Sequence, residues 1–379
     1  MARKKALLVV AGGRAEPDIL VLQWVQPELI VYLTSDEGWV SEKVFIEKAK
    51  SMSIKEENII PIRNVNAYNL EAGMRACSLA CEPYTDTEWE WIFSIGSSPK
   101  ITGIAAYEVA KQKNIPCLYV DTRNEKFVAL ARELEGDIGD IFHINVPEYM
   151  KMQHRDFQPA KEAGYRSTVE CWKHIAQEVA LSPDGPGFCQ ILREKKAREA
   201  VQLSSTLALS PLVQNIARYG LLEIKQNATS AYECSFTSRD AAHFLGTGDW
   251  LEVYVWSEAT QAGFADDCQW GHVIVDGGAI NELDLSLTYK AQLIVGECKT
   301  GNSSFARKHI DALDSVTNLL GGLYVTKVYI TDRSSTLRNF ASFQEQAGRR
   351  RIVVVPVEDL PKIGSILEEQ ARSPKYPRI

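Results

Sequence analysis

Three carboxylates and one lysine stand in a spaced order in the C-terminal half of the chain. Glu252 ends Gly-Asp-Trp-Leu-Glu, Asp284 ends Asn-Glu-Leu-Asp, and Glu297 and Lys299 flank a cysteine in Val-Gly-Glu-Cys-Lys-Thr-Gly. Residues two apart on a strand point to the same face, so Glu297 and Lys299 should share one face of a sheet. A hairpin would bring Asp284 beside them. Carboxylates in such a group bind divalent cations, and the pattern therefore indicates phosphodiester hydrolysis.

Each of these residues has an expected role. Asp284 and Glu297 are the predicted principal ligands of Mg²⁺ or Mn²⁺, and Glu252 is a third ligand, direct or through water. Lys299 would position or polarise the attacking water, whose pKa the metal lowers. Each of these residues taken alone is equally well explained as a member of an ion pair on the protein surface. Their occurrence together, in order along a helix and two strands, favours a metal site.

Two further carboxylates are weaker candidates for the same site. Asp276 lies in a predicted turn, and Glu282 lies two residues before Asp284 and therefore on the same strand face. Neither is needed to complete the set.

The elements that must position this set follow from the hydrophobic pattern. A helix that starts near Trp250, capped by Asp249 or Thr247, would place Glu252 in its first turn, where the helix dipole stabilises a carboxylate. Three strands are predicted next, at 269–275, 280–288 and 291–299. They are followed by a helix at 305–320, a strand at 326–331, a helix at 336–347 and a strand at 351–356. The first two strands are joined by the Asp-Gly-Gly turn of a hairpin.

The N-terminal half alternates continuous apolar strands with amphipathic helices. Strands are predicted at 6–10, 29–33, 59–62, 91–95 and 117–120, and helices at 38–51, 70–80 and 102–113. Such a pattern is typical of a parallel sheet covered on both faces, so the fold class is α/β in both halves.

Loops at the carboxyl ends of these strands are the predicted ligand site. In parallel sheets ligands bind there, and these loops offer backbone amides, hydroxyls and a helix N-terminus that favours phosphate. No complete GxGxxG or Walker A motif is present, so ordinary turn chemistry remains an alternative.

The length and composition of the chain predict its domain organisation and limit its possible functions. A chain of 379 residues exceeds one ordinary core, which predicts a domain at 1–150, a linker at 151–188 around the Pro- and Gly-rich break at 182–187, and a domain at 189–379. No apolar run has the length of a membrane helix. Eight cysteines without a CxxC pair predict reduced thiols and a cytoplasmic protein. The net charge of −7 comes from an acid excess in the N-terminal half, and it disfavours tight, unregulated nucleic-acid binding.

The order helix-Glu252, strand-Asp284, strand-Glu297-x-Lys299 resembles the PD-(D/E)XK nuclease superfamily, with Leu283 where proline is usual. The Trp-Leu-Glu, Asn-Glu-Leu-Asp and Glu-Cys-Lys segments also resemble a narrower group, the CARF-domain effector nucleases of type III CRISPR systems. The N-terminal half is similar to the CARF fold, a Rossmann-like dimer that binds a cyclic oligoadenylate. The resemblance covers essentially the whole chain.

The resemblance implies a switched endonuclease of antiviral defence. Cyclic tetra-adenylate would bind across the twofold axis of a homodimer and activate cleavage of DNA, with single-stranded RNA as a second candidate substrate. The residues it implies as ligand contacts lie in three loops and are Gly12, Gly13, Arg14, Thr34, Ser35, Gly96, Ser97, Ser98, Pro99 and Lys100. No membrane partner is expected.

Three other functions remain open at this point. The chain could be a nucleotide-sensing regulator with an inert nuclease domain, which the complete carboxylate and lysine set disfavours. A constitutive repair or restriction-type nuclease would cut without a cyclic nucleotide. A dinucleotide oxidoreductase is disfavoured by the missing glycine fingerprint.

Overall fold

The computed structural model describes residues 3–35, 39–84, 88–121, 126–134, 136–137, 144–194, 200–227, 230–276 and 278–376. The chain divides into two compact units, Met1–Arg155 and Asp156–Ile379. Each unit is α/β, which confirms the predicted fold class.

The first unit is built on a seven-stranded sheet in the order β3-β2-β1-β4-β5-β6-β7. The first five strands in this order are parallel, and the last two are antiparallel. The strands are β1 Lys4–Val10, β2 Leu29–Leu33, β3 Ile59–Ile62, β4 Trp89–Ser94, β5 Cys117–Asp121, β6 Lys126–Ala129 and β7 Gly136–Asp137. The helices are α1 Glu16–Val25, α2 Trp39–Ser51, α3 Leu70–Cys81, α4 Lys100–Gln112 and α5 Val146–Met152.

The burial of each element explains whether the hydrophobic pattern of the sequence predicted it. The central strand β1 is buried from Ala6 to Val10, as expected for a strand covered on both faces, and the predicted parallel strands are all present. Helix α1 was not predicted. It is buried along nearly its whole length, including Glu16 and Asp18, so its sequence lacks an apolar stripe with helical period.

The second unit contains a six-stranded mixed sheet in the order β16-β15-β14-β13-β12-β8 and a three-stranded sheet in the order β10-β11-β9. The strands are β8 Asp156–Pro159, β9 Val201–Leu203, β10 Leu222–Gln226, β11 Tyr232–Phe236, β12 Asp267–Asp276, β13 Ala279–Tyr289, β14 Gln292–Lys299, β15 Thr326–Thr331 and β16 Ile352–Val355. The helices are α6 Ala163–Cys171, α7 Lys173–Leu181, α8 Gly185–Glu194, α9 Ser205–Ala208, α10 Pro211–Arg218, α11 Arg239–Thr247, α12 Asp249–Ala262, α13 Arg307–Asn318, α14 Phe340–Arg349 and α15 Ile363–Arg372. The strands β14, β15 and β16 run parallel, whereas β8, β12 and β13 pair antiparallel.

The segment predicted as a linker, 151–188, is largely folded into the second unit. It contains β8, which pairs with β12, and the helices α6 and α7. Ile175 and Val179 on α7 are fully buried in the core that also holds Trp250 of α12. The polar composition that suggested a linker belongs to a sheet-edge strand and its flanking turn, and the break at 182–187 separates α7 from α8.

All eight cysteines are free of disulfides. Burial raises the pKa of Cys77, Cys81 and Cys117 to about 12, which keeps them in the unreactive thiol form.

Within the described part of the chain, the helices are too short or too polar to cross a membrane.

Candidate active site

Helix α12 presents Glu252 to the site from its first turn. Gly248 precedes the helix with a φ of +110°, and a Cβ at this position would lie 2.4 Å from Thr300 Oγ1, so the turn requires glycine. The helix begins at Asp249, whose carboxylate is not the N-cap as expected. Instead it accepts hydrogen bonds from Tyr165 and Thr247. Glu252 is only 8% exposed, and its Oε2 has no hydrogen-bond partner.

The pairing of β13 and β14 brings three of the predicted residues together. The ladder ends at the Leu285–Gly296 pair, and beyond it Asp284 Oδ2 accepts a hydrogen bond from the Cys298 backbone N–H at 2.8 Å. Lys299 Nζ lies 3.0 Å from Asp284 Oδ2 and 2.7 Å from Glu297 Oε1. The lysine therefore bridges the two carboxylates that the sequence analysis placed beside it.

A glycine in β12 lies beside a residue that the sequence analysis did not consider. Gly271 has a φ of +55°, and its carbonyl accepts a hydrogen bond from Ala160 N at 2.9 Å, which fixes the chain just after β8. A Cβ on Gly271 would lie 3.7 Å from Lys161 Cγ and 3.9 Å from Glu252 Oε2. Lys161 Nζ lies 3.3 Å from Glu282 Oε1, so a second lysine reaches the site from the segment predicted as linker.

Three carboxylates form a group of suitable size for a cation. Glu252, Glu282 and Asp284, here called the acidic cluster, each offer an oxygen within 4.8 Å of the others. Glu282 was the weaker candidate, whereas Glu297 is engaged by Lys299 beside the cluster. The side chain of Asp276 lies outside the described residues. A buried carboxylate oxygen without a partner, Glu252 Oε2, fits a site for a hard cation, because such an oxygen is costly to leave unsatisfied.

The pKa values of the carboxylates around the acidic cluster also indicate too little positive charge at this site. Burial raises the pKa of Glu252 well above its ordinary value, and the neighbouring Asp284 and Asp249 raise it further. Burial and Asp284 raise the pKa of Glu297 to about 7, although Lys299 opposes the shift. Burial alone would lower the pKa of Lys299, but Asp284 and Glu297 raise it, so this lysine stays charged. A bound cation would favour the ionised form of every carboxylate here.

The stability of the metal-free protein should therefore fall as the pH rises through this range. A carboxyl whose pKa is raised in the folded state binds its proton more tightly there, so its contribution favours folding at low pH. For Glu297 this contribution is lost between about pH 4.5 and about pH 7. We expect the melting temperature in EDTA to decrease across this window, less steeply in Glu297→Gln, and Mn²⁺ to reverse the trend. An identical pH dependence in Glu297→Gln would contradict the assignment.

The predicted ligand loops of the first unit follow three neighbouring strands, β1, β2 and β4. Gly12 N donates to Ser97 Oγ at 3.0 Å, and Ser97 Oγ donates to Asp18 Oδ2 at 2.7 Å. Ser41 Oγ donates to Gly12 O at 2.8 Å. A buried polar network thus ties the loop after β1 to the loop after β4, and it uses the Ser97 hydroxyl as a structural link.

Other residues of these loops differ in what they can offer a ligand. Thr34 is buried, and its hydroxyl donates to Glu42 at 3.5 Å, whereas Ser98 donates to its own turn at Ile95 O. Arg14 pairs with the buried Glu16 at 3.3 Å. The remaining members are exposed or half-buried and are Gly13, Ser35, Gly96, Pro99 and Lys100. Lys100 is the first residue of α4, which has no side-chain cap, and the first N–H groups of a helix have no partner within it.

Comparisons with known proteins agree with this architecture. Residues 239–373 match the family model described as Card1-like, endonuclease domain. No protein of curated function matches the chain. The matched segment contains α12 and β13, which carry the acidic cluster, and β14, which carries Glu297 and Lys299.

Solved structures share the fold over nearly the whole chain. Can2 from Sulfobacillus thermosulfidooxidans, in complex with cyclic tetra-adenylate, superposes with a TM-score of 0.73 at 18% identity, covering 98% of each chain. Protein VC1899 from Vibrio cholerae gives a TM-score of 0.71 at 16% identity, covering 98% of this chain and 99% of that one. A type III CRISPR defence DNA nuclease activated by cyclic oligoadenylate gives 0.55 at 14% identity, covering 88% of this chain and 46% of its own. These matches confirm the resemblance found in the sequence: residues 239–373 are similar to a Card1-like endonuclease domain, and the whole chain has the fold of Can2.

Proposed function

We propose that this protein is an endonuclease of type III CRISPR antiviral defence that is activated by cyclic tetra-adenylate and depends on a divalent metal. The observation that carries the proposal is the acidic cluster with Lys299 beside it, inside a segment that matches an endonuclease domain. We propose DNA as the main substrate, nicked when supercoiled or cleaved when single-stranded, and single-stranded RNA as a second one.

The proposed chemistry assigns a task to each residue. Glu252, Asp284 and Glu297 are the proposed ligands of Mg²⁺ or Mn²⁺, and Glu282 is proposed as a further one because its oxygen lies within 4.8 Å of those of Glu252 and Asp284. The cation would supply an acidified water and neutralise charge on the phosphate. Lys299 holds Asp284 and Glu297 in place, and its third N–H donates to Cys298 O at 3.2 Å. We propose that this longest contact is exchanged for the attacking water or a phosphate oxygen when substrate binds.

We propose that the first unit binds the activating ring. Can2, which was solved with cyclic tetra-adenylate, shares its fold across the whole chain, and this supports the assignment. The exposed Gly13, the half-buried Ser35 and the N-terminus of α4 with Lys100 offer amides and a positive charge to ring phosphates. The protein is proposed to act as a homodimer in the cytoplasm, with the ring bound on the twofold axis.

The decisive experiment is nicking of supercoiled plasmid with Mn²⁺, with and without cyclic tetra-adenylate. We expect nicking only when the ring is present, and none in Glu297→Ala. Nicking without the ring would support the constitutive nuclease and contradict the switch. Absence of cleavage of plasmid, single-stranded DNA and single-stranded RNA under both conditions would contradict the proposal and favour a sensor with an inert nuclease domain.

A further inference from the structure

A cavity lies next to the acidic cluster in the second unit. It is lined by Lys161, Glu162, Tyr165, Arg239, Asp240 and His243. Lys161 belongs to both places, because its ammonium lies 3.3 Å from Glu282 of the acidic cluster while its side chain lines the cavity. The cavity and the proposed site of hydrolysis are therefore neighbours that share one basic residue.

Asp249 organises the basic side chains of this cavity. Its side chain is only 5% exposed and accepts hydrogen bonds from Tyr165 Oη at 2.8 Å and from Thr247 Oγ1 at 3.1 Å. Asp249 Oδ2 also lies 3.1 Å from His243 Nδ1 and 3.5 Å from Lys161 Nζ. The Asp249 carboxylate thus holds the His243 imidazole and the Lys161 ammonium in fixed positions at the same cavity. Solvated side chains on an open surface are not held together in this way.

The contacts with Asp249 orient the His243 ring through one of its two nitrogens only. Its Nδ1 faces Asp249, which leaves Nε2 without a hydrogen-bond partner among the described residues, and the side chain is 44% exposed. Lys161 has three N–H donors and makes two rather long ion pairs, so one donor remains for a ligand. Two carboxylates also line the cavity, of which Glu162 is exposed to solvent and Asp240 is half-buried.

We propose that this cavity binds a backbone phosphate of the substrate strand, next to the scissile phosphate at the acidic cluster. Lys161 donates to the phosphate, and His243 donates to it from Nε2 when both ring nitrogens carry a proton; Arg239 lies exposed at the rim, and Asp249 is a positioning residue. The inference rests on the proposed nuclease function. A polymer that carries a phosphate at every nucleotide can occupy the cluster and the cavity at the same time, whereas a mononucleotide cannot, so the subsite favours internal cleavage over release of terminal nucleotides.

The test measures binding separately from cleavage. Fluorescence anisotropy of a labelled single-stranded DNA would be recorded on full-length Glu297→Gln, with cyclic tetra-adenylate and constant Mn²⁺, over a series of NaCl concentrations. Each lost phosphate contact lowers the slope of log K against log salt by about 0.7 for a single strand. We expect Lys161→Gln to show this decrease together with an affinity loss of about fivefold or more, and His243→Ala to lose affinity to a similar extent. In the active background, both should raise KM more than they lower kcat.

The control is Lys225→Gln, which removes an exposed lysine from a 3.1 Å ion pair with Glu223 on a different sheet. Its salt slope should equal that of the parent, and melting temperatures show whether each variant is folded. If the wild type cleaves DNA but the slope and affinity of Lys161→Gln and His243→Ala are unchanged, the subsite is wrong while the nuclease function stands. If the wild type neither binds nor cleaves the strand, both are overturned.

Discussion

Replacing Asp284 by asparagine should reduce the rate of DNA cleavage by at least about a thousandfold, because a metal ligand contributes several kcal/mol of transition-state stabilisation and each 1.36 kcal/mol is a factor of ten. The asparagine carbonyl can still accept the hydrogen bond from Cys298 N, so the end of the β13–β14 ladder should persist. Its amide, however, offers Lys299 no charge and supplies a weaker ligand to the acidic cluster. The measurement is the single-turnover rate of plasmid nicking with saturating ring and Mn²⁺.

A matched control for this variant lies on helix α13. Asp311→Asn also removes one carboxylate charge, but from a side chain that is 46% exposed and pairs with Arg350 at 2.5 Å and with the exposed Arg307 at 3.4 Å. Ion pairs of such exposed carboxylates contribute little to stability. Asp311→Asn should nick as the wild type does. Binding of cyclic tetra-adenylate should be unchanged in both variants. Wild-type nicking by Asp284→Asn would show that the acidic cluster is not the site of hydrolysis.

The local sequence pattern determines most of the elements around the candidate site. The runs that become β13 and β14 are strongly apolar and carry their charged residues at one end, so strand, turn and the shared face of Glu297 and Lys299 follow from period and composition. The same reasoning finds the parallel strands of the first unit. It fails for α1, where burial on nearly all sides removes the helical period.

The parts that sequence reasoning missed depend on long-range contacts. Lys161 reaches the site because β8 pairs with β12 and Ala160 N donates to Gly271 O just after β8, and no local pattern encodes that pairing. His243 and Tyr165 converge on Asp249 from two different helices. The sequence analysis considered Asp249 only as a helix cap. Its place in Thr-Gly-Asp-Trp, where a glycine before an acidic helix start marks a constrained turn, could have indicated a further role.

The ligand loops of the first unit give the second large effect. Gly12→Ala should weaken binding of cyclic tetra-adenylate by about a hundredfold, or ~2.7 kcal/mol, within the usual range for overpacking. A Cβ on Gly12 would lie 1.8 Å from Ser97 O and 2.9 Å from Ser97 C, and these are backbone atoms that cannot rotate away. The loop after β4 must therefore shift, and the hydrogen bond from Gly12 N to Ser97 Oγ is lost with it. Calorimetric titration with the ring measures the effect.

Two companion variants separate a displaced loop from an unfolded unit. Gly13→Ala adds the same methyl group where no atom lies within 4 Å, so its melting temperature should match the wild type. Ser97→Ala adds no atom but removes the acceptor of Gly12 N and a donor to the buried Asp18. It should cost about tenfold in ring affinity, consistent with the 1–3 kcal/mol of a buried group left without its partner. Unchanged ring affinity in folded Gly12→Ala and Ser97→Ala would place the activator elsewhere, because a ring seated on these loops must respond when the network that joins them is broken.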